Sequence, residues 1–434
     1  MSTDPPRHDT RLDRFVDSYS LRTHGLKVSA VRALFAVANR PEIVSLAGGM
    51  PNIKDLPLDD IGQSLARMIA TNGTQVMQYG SGQGELTLRS KICEVMALEG
   101  IAADPDDITI TAGSQQGLDL VTRIFCDPGD VILAESPSYV GALGTFHSYQ
   151  VDVVHVPTND QGVDPDALRE TILAVRAAGK RIKLLYTIPN FNNPSGVTQP
   201  WQRRLEIMAV CHQFGVLVVE DNPYGLLTLD GPPLPAMRSI DPDVIYLGSF
   251  SKTFAPGFRV GWVAAPHAVR EKLVLAQESA TLCPPVFSQF AIANYLETSD
   301  WRGQINVYRD MYRERRDALL EALDDNMPDG ATWTRPVGGF FVWVTLPEGI
   351  DTQAMLPRAV SARVAYVPGG AFYADDQGAR NARLSFCFPP PERIVTGVER
   401  FADVVRSELE MASIFGVQES RSGRGATGPG PDQT

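Results

Sequence analysis

The chain has 434 residues, enough for two domains with separate cores or for one large α/β domain with a smaller companion. A hydrophobic share of 44% and a charged share of 21% are ordinary for a globular protein, and 39 basic against 51 acidic residues leave a net charge of −12. No basic block is present to track a phosphate backbone, which disfavours nucleic-acid binding; no window approaches about 18 uninterrupted apolar residues, which disfavours a membrane span, and the opening "MSTDPPRHDTRLDRF" has no apolar core to serve as a signal peptide, so a cytoplasmic protein is the expectation.

In chain order, the βα rhythm of a mostly parallel sheet sets in near residue 108, where short apolar runs begin to alternate with amphipathic stretches. "DITITAG" runs into the helical "SQQGLDLVTRIF", and "DVILAESPSY" and "IKLLYTIPNFNNPSG" follow. "QPWQRRLEIMAVCHQFG" predicts a helix with Pro200 near its start and Gly215 as its stop. "VLVVEDNPYG", "VIYLGSF" and "FRVGWVAAP" supply further strands. The stretch from Val286 to Asp325 is long and helical, suited to a connector, and "GGFFVWVTLP", "VAYVPGGAFY" and "ARLSFCF" predict strands around a helix near Gln353 to Ser361.

The expected division is therefore an N-terminal arm with part of the small domain at 1–50 and a large domain at 51–290. A connector and small C-terminal α/β domain take up 291–415, and a disordered tail 416–434, poor in apolar residues and rich in Gly and Pro. No internal repeat is present. The five cysteines, Cys93, Cys126, Cys211, Cys283 and Cys387, form no C-x-x-C pair and have no histidine at ligand spacing, so they read as reduced packing residues and no metal site is expected.

Polar residues gather where the predicted strands end: Asn193, Asp221, and the group Ser249, Ser251 and Lys252. In an open parallel sheet the ligand crevice lies outside the carboxyl ends of the strands, so these separate segments are expected to face one pocket. Ser114 opens a helix after a small-residue turn, where free N–H groups and the helix dipole favour an anion; Ser249, Ser251 and Arg259 at a neighbouring strand end make that anion a phosphate. Two nucleotide motifs fail. "SKT" at 251–253 has serine where a P-loop needs glycine, and "GSGQGE" at 80–85 has glutamate for the last glycine of a dinucleotide fingerprint and follows no strand. A lone lysine, a phosphate pocket and a carboxylate at a strand end together suit pyridoxal 5'-phosphate, whose aldehyde forms a Schiff base with lysine and whose ring nitrogen a carboxylate keeps protonated.

The ordered set "QYGSGQGELTLR", "TAGSQQGLDL", "ESPSYVGAL", "YTIPNFNNPSG", "VEDNPYG", "GSFSKTFAPGFRVGW" and "RLSF" resembles the fold-type I, class I/II aminotransferases, in particular the 2-aminoadipate and kynurenine aminotransferase branch. The resemblance spans about 44 to 388 and implies a large domain with a mostly parallel central sheet between helices, plus a smaller α/β domain. It implies that Lys252 is the Schiff-base lysine and, once released, the base that moves the substrate proton. It likewise implies that Asp221 pairs with the pyridine nitrogen, that Tyr224 and Asn193 hold the ring oxygen, and that Tyr139 stacks on the ring. Ser114, Gln115, Ser249, Ser251 and Arg259 would hold the phosphate, with Tyr79 reaching it from the other subunit of a homodimer whose active sites are shared. Arg383 corresponds to the arginine that grips the substrate α-carboxylate, Gly49 to the position where substrate approaches the backbone, and Arg32 to an arginine aimed at a distal carboxylate.

Two departures stand out. Asn222 takes the place of a second acidic residue, and Phe191 stands where a glycine is common, a bulky ring expected to narrow the substrate pocket and to weigh against dicarboxylic or kynurenine-like substrates. The activity implied is amino transfer from an L-amino acid to a 2-oxo acid. The same fold and cofactor also serve β-elimination, decarboxylation and oxidative deamination. A regulator's sensor domain would need a winged helix-turn-helix, for which the 43 residues before "VSLAGG" are too few and insufficiently basic.

Overall fold

Continuous apolar runs bounded by turns become the buried strands of an eight-stranded sheet. The structure, a computed structural model, describes residue 13, residues 15–24 and residues 40–422. The sheet comprises β2 (Ile108–Thr111), β3 (Val131–Ser136), β4 (Asp152–Asn159), β5 (Gly162–Val163), β6 (Ile182–Thr187), β7 (Leu217–Asp221), β8 (Ile245–Ser249) and β9 (Gly261–Ala264), in the spatial order β2-β9-β8-β7-β6-β3-β4-β5. From β8 to β4 neighbours are parallel; β9 runs against both β2 and β8, and β5 against β4. The strands in "VLVVEDNPYG" and "VIYLGSF" thus lie centrally and parallel, whereas "FRVGWVAAP" runs the other way.

Apolar faces of helices cover both sides of this sheet. On one side α4 (Ser114–Phe125), α5 (Val140–Ser148) and α8 (His267–Thr281) bury Leu118, Val121, Phe146 and Leu273 against Ile132, Leu184, Val219 and Leu247. On the other, α6 (Pro165–Ala177) and α7 (Trp201–Phe214) bury Ile172, Val175, Ile207 and Met208 against Val131, Leu133, Leu185 and Val218. Gly215 closes α7 in a left-handed conformation at φ 61°, as the sequence stop predicts.

A second sheet, antiparallel throughout, has the order β10 (Thr332–Trp333), β11 (Phe341–Thr345), β14 (Asn381–Ser385), β13 (Val367–Pro368). Its region is tied to the start of the continuous stretch 40–422, because β1 (Val44–Ser45) pairs in parallel with β12 (Val364–Ala365). The connector is two helices, α9 (Val286–Thr298) and α10 (Trp301–Asn326). The chain breaks between them because Asp300 turns its side chain onto the N–H of Gly303, 2.9 Å away, and caps a new helix start.

The C-terminal helix α12 (Pro391–Ser422) continues into the segment expected to be a disordered tail at 416–434. Within that extension a single glycine, Gly416, costs a helix only about 1 kcal/mol, and the next breakers, Gly423 and Gly425, come after Ser422. The five cysteines are unpaired, with Cys126, Cys211 and Cys387 buried and the other two half-buried.

Candidate active site

Parallel strands deliver their carboxyl ends to one edge of the sheet, and that edge is where β2, β3, β6, β7 and β8 release the chain toward Ser114, Tyr139, Asn193, Tyr224 and Lys252. Because β9 is antiparallel, it begins at the same edge, which places Arg259 there from the opposite direction. The second sheet adds Arg383 from β14. These segments enclose a cavity of about 410 Å³, and all the predicted site residues line it except Tyr79 and Arg32. Arg32 lies outside the described residues. Tyr79 is 76% exposed and stands away from the cavity.

Asp221 ends β7 and is 5% exposed. Its Oδ2 accepts from the Tyr186 hydroxyl at 2.7 Å, while Oδ1 is buried with no partner. Burial pushes this carboxyl up to about 6, with the Tyr186 bond opposing. A half-satisfied carboxylate beside a cavity leaves one oxygen for a cationic donor, and a protonated ring nitrogen fits that requirement.

Across the cavity the Lys252 Nζ donates to the Gly49 carbonyl at 2.8 Å. Burial pulls its ammonium down to about 8, and the charges of Arg383 and Arg259 act in the same direction while Cys387 opposes them. The amine therefore deprotonates far more easily than a surface lysine, whose pKa is about 10.4.

Arg383 is 3% exposed, on a strand flanked by Trp343 and Val367. Nη1 donates to Asn193 Oδ1 at 2.8 Å and Nη2 to the Ala47 carbonyl at 2.7 Å, while Nε is buried without a partner. The guanidinium lies 4.1 Å from the Phe341 ring centroid and 5.0 Å from that of Phe372. Burial lowers its pKa to about 10, which still leaves it charged at neutral pH. Phe341 was legible only as a strand residue; alternation in "GGFFVWVT" puts it on the same face as Trp343, and nothing in the sequence brings Arg383 over its ring.

The opposite end of the cavity is built for an anion. Gly113, at φ 86°, precedes α4, whose first N–H groups have no carbonyl within the helix to bond. The Arg259 guanidinium rests against it: a Cβ at Gly113 would stand 2.5 Å from Nη2, and one at Gly261 2.5 Å from the Ser114 nitrogen. Arg259 also donates to the Ala112 carbonyl at 2.8 Å. Ser249 Oγ accepts from the Ser251 N–H at 3.1 Å and donates to Ser251 Oγ at 2.9 Å. The Gln115 side-chain amide is committed to Thr145 Oγ1 at 2.7 Å and to the Gly141 carbonyl at 3.3 Å, so what Gln115 offers an anion is its backbone N–H. Hydroxyls, helix N–H groups and one guanidinium together fit a phosphate.

Between the two ends stand the aromatic residues. Tyr224 is buried edge-on to Phe340 and Phe341, with centroids 5.3 Å and 6.0 Å away. The Tyr139 ring folds over Gly141, where a Cβ would stand 2.5 Å from its Cζ. Gly49 reaches this region through its carbonyl bond to Lys252.

The expectation for Phe191 is corrected. Its backbone is left-handed at φ 51°, which turns the ring under Gly338 and Gly339 and away from the cavity; at 4% exposed it is a core residue. It cannot narrow the pocket, and the argument from it against dicarboxylic or kynurenine-like substrates falls. Asn222 joins a buried polar group, donating to Glu99 Oε1 at 2.6 Å and accepting from Asn190 Nδ2 at 3.1 Å.

The sequence and fold are similar to those of known proteins. Residues 42–401 match the family described as aminotransferase class I and II. The chain is 42% identical over 396 residues to aromatic-amino-acid aminotransferase 1 of Thermococcus litoralis, covering 90% of this chain and 95% of that protein. Among solved structures, Pyrococcus horikoshii kynurenine aminotransferase, in complex with PMP, superposes with a TM-score of 0.86 at 39% identity, covering 90% of this chain and 97% of the other. The α-aminoadipate aminotransferase of Thermus thermophilus, bound to N-(5'-phosphopyridoxyl)-L-leucine, superposes with a TM-score of 0.84 at 34% identity, covering 91% and 99%.

Proposed function

The chain belongs to the class I and II aminotransferases, enzymes that use pyridoxal 5'-phosphate, and from that premise we propose that Lys252 is the amine through which it moves an amino group from an L-amino acid to a 2-oxo acid. One observation carries the assignment: Lys252, the half-satisfied Asp221 and the buried Arg383 face a single cavity whose far end is furnished for phosphate. When bound, the cofactor supplies an aldehyde to bond an amine and a protonated ring that withdraws electrons from the substrate's α-carbon.

The chain's own residues do the rest. Asp221 Oδ1, buried and without a partner, would keep the ring nitrogen protonated, and its burial would make that pairing strong. Tyr224 and Asn193, which line the cavity, would hold the ring oxygen, and Tyr139 would flank the ring. Ser249, Ser251, Arg259 and the N–H groups of Ser114 and Gln115 anchor the phosphate. Arg383 takes the α-carboxylate in a fork, with Asn193 fixing the guanidinium's angle, so that the bond to the α-hydrogen faces Lys252. Lys252 then removes that proton as a free amine, which its lowered pKa permits near neutrality. The short distance to the Gly49 carbonyl holds the amine in place between transfers.

Further parts of the reading concern assembly and range. The exposed Tyr79 supports a homodimer in which Tyr79 of the partner subunit completes the phosphate site. The two sheets support a division into a large unit at 51–290 and a smaller one at 291–415 joined by residues before 51. Arg32 remains the proposed contact for a distal carboxylate. Names of the relatives point to aromatic and aminoadipate-like donors as the first to try.

The test is direct. Purified protein loaded with cofactor and reduced with borohydride is expected to carry the adduct on the peptide containing Lys252. Lys252→Ala is expected to retain cofactor non-covalently and to lose at least about four orders of magnitude of turnover with every amino acid in a panel, since it deletes both the covalent anchor and the base. Near-normal turnover by that variant, or an adduct on another peptide, would overturn the assignment.

A further inference from the structure

Glu135 is the next-to-last residue of β3, stands outside the cavity, and is 2% exposed. A buried carboxylate is costly unless its lone pairs are filled, and each of its oxygens takes two donors. Oε1 accepts from Thr187 Oγ1 at 2.5 Å and from Gln199 Nε2 at 2.7 Å. Oε2 accepts from the Ile188 N–H at 3.2 Å and from Asn192 Nδ2. None of the four donors is a cation, and all come from residues 187–199, the turn that carries Asn193.

Asn192 passes the restraint along that turn. Its Oδ1 accepts from the Ser195 N–H at 3.1 Å and from Ser195 Oγ at 3.0 Å, and its N–H donates to the Val197 carbonyl at 2.8 Å. The neighbouring Asn193 presents Oδ1 to Arg383.

A second connection leaves the Glu135 main chain. Its carbonyl accepts from His155 Nδ1 at 2.9 Å, and His155 Nε2 accepts from the Ala374 N–H at 2.8 Å. That segment includes Phe372, whose ring lies beside the Arg383 guanidinium. One residue is thereby joined to two of the supports of Arg383, Asn193 and the segment of Phe372.

We propose that Glu135 is a positioning residue for substrate recognition: by filling its carboxylate from the 187–199 turn it fixes Asn193, and through Asn193 the angle at which Arg383 meets the substrate carboxylate. The inference rests on the role given to Arg383 and Asn193 above. A purely structural carboxylate would lower stability when altered without touching substrate affinity selectively.

The experiment compares holoenzyme variants. Glu135→Gln keeps the shape but sets an NH₂ against two donors whichever way the amide turns. Expected are a KM for the amino acid raised about tenfold, kcat within about threefold, an unchanged cofactor spectrum, and faster deuterium uptake confined to the peptide spanning 187–199. In an Asn193→Ala background, itself raised in KM, Glu135→Gln is expected to change KM less than about twofold, because the path has already been cut. The milder Thr187→Val, which removes one donor at constant size, is expected to raise KM about threefold and serves if Glu135→Gln does not fold.

A lowered melting temperature with KM unmoved in Glu135→Gln, or in Thr187→Val in its place, overturns the inference, as do fully additive effects of Glu135→Gln and Asn193→Ala. An Asn193→Ala variant with wild-type KM would remove the underlying reading of the site and this inference with it, which sets that failure apart from simple additivity.

Discussion

The two ends of the cavity hold their arginines in opposite ways. Arg383 is almost fully buried, gathered from the second sheet, and held by a side chain, a carbonyl and two aromatic rings before any ligand arrives. Arg259 is exposed, sits just before β9 of the main sheet beside a helix start, and has one carbonyl as its hydrogen-bond partner. On the proposed reading, the buried end is the substrate end and is organised in advance, so little is lost in ordering it on binding; the exposed end is the phosphate end, shares its work with hydroxyls and N–H groups, and is open to competition from water. Substrate is exchanged in every cycle and must be gripped at a set angle. The cofactor stays, and many weak contacts suffice to hold it.

That contrast fails if the two arginines respond alike to removal. Arg383→Ala deletes a desolvated, two-pronged ion pair and leaves Asn193 Oδ1 and the Ala47 carbonyl without their donor, so kcat/KM for every amino acid is expected to fall about a thousandfold, or about 4 kcal/mol. Cofactor affinity is expected to stay within about threefold, because Arg383 serves the other end. Steady-state kinetics and an absorbance titration check both halves. A loss of cofactor binding as large as the loss of kcat/KM would merge the two ends into one cooperative unit.

The effect at the exposed end should be smaller and of another kind. Arg259 has φ 53°, where alanine would be strained, so Arg259→Asn is the fairer substitution. Cofactor affinity is expected to fall about tenfold, in line with an exposed ion pair supported by neighbouring donors, and added cofactor should restore activity. Raising salt should weaken cofactor binding in the wild type and do so less in the variant, as screening requires. An affinity measured against salt in both proteins decides it; equal salt dependence would mean that the guanidinium does not face the phosphate.

Much of this was legible in the chain because the relevant signals are local. Strand ends, small turns and hydroxyl-rich helix starts place Ser114, Asp221, Ser249 and Lys252 on one edge once the strands are known to be parallel, and the order of the motifs adds Arg383. What escaped depends on direction or on distant partners. The commitment of the Gln115 amide to Thr145 cannot be read from a helix start. Glu135 looked like one more strand residue because its four donors lie more than fifty positions away. The break at Asp300 was written in the sequence as a capping residue, yet apolar periodicity on both sides concealed it.

Phe191 shows the same limit, and it supplies the smallest predicted functional effect. A bulky residue in place of a glycine beside the site carries the expectation of a narrower pocket, but a left-handed backbone sends its side chain to the far side of the turn, against Gly338 and Gly339. Phe191→Gly would relieve a strained φ, worth about 1 kcal/mol, while emptying a buried ring site that is worth about 3 kcal/mol or more. The melting temperature should therefore fall. Because neither end of the cavity touches the ring, the ratio of kcat/KM between an aromatic and a dicarboxylic amino acid is expected to change less than about threefold, measured with saturating cofactor. A larger swing toward the dicarboxylic substrate would show that the ring reaches the pocket in the working enzyme, and that the carboxylate end is less fixed than its hydrogen bonds imply.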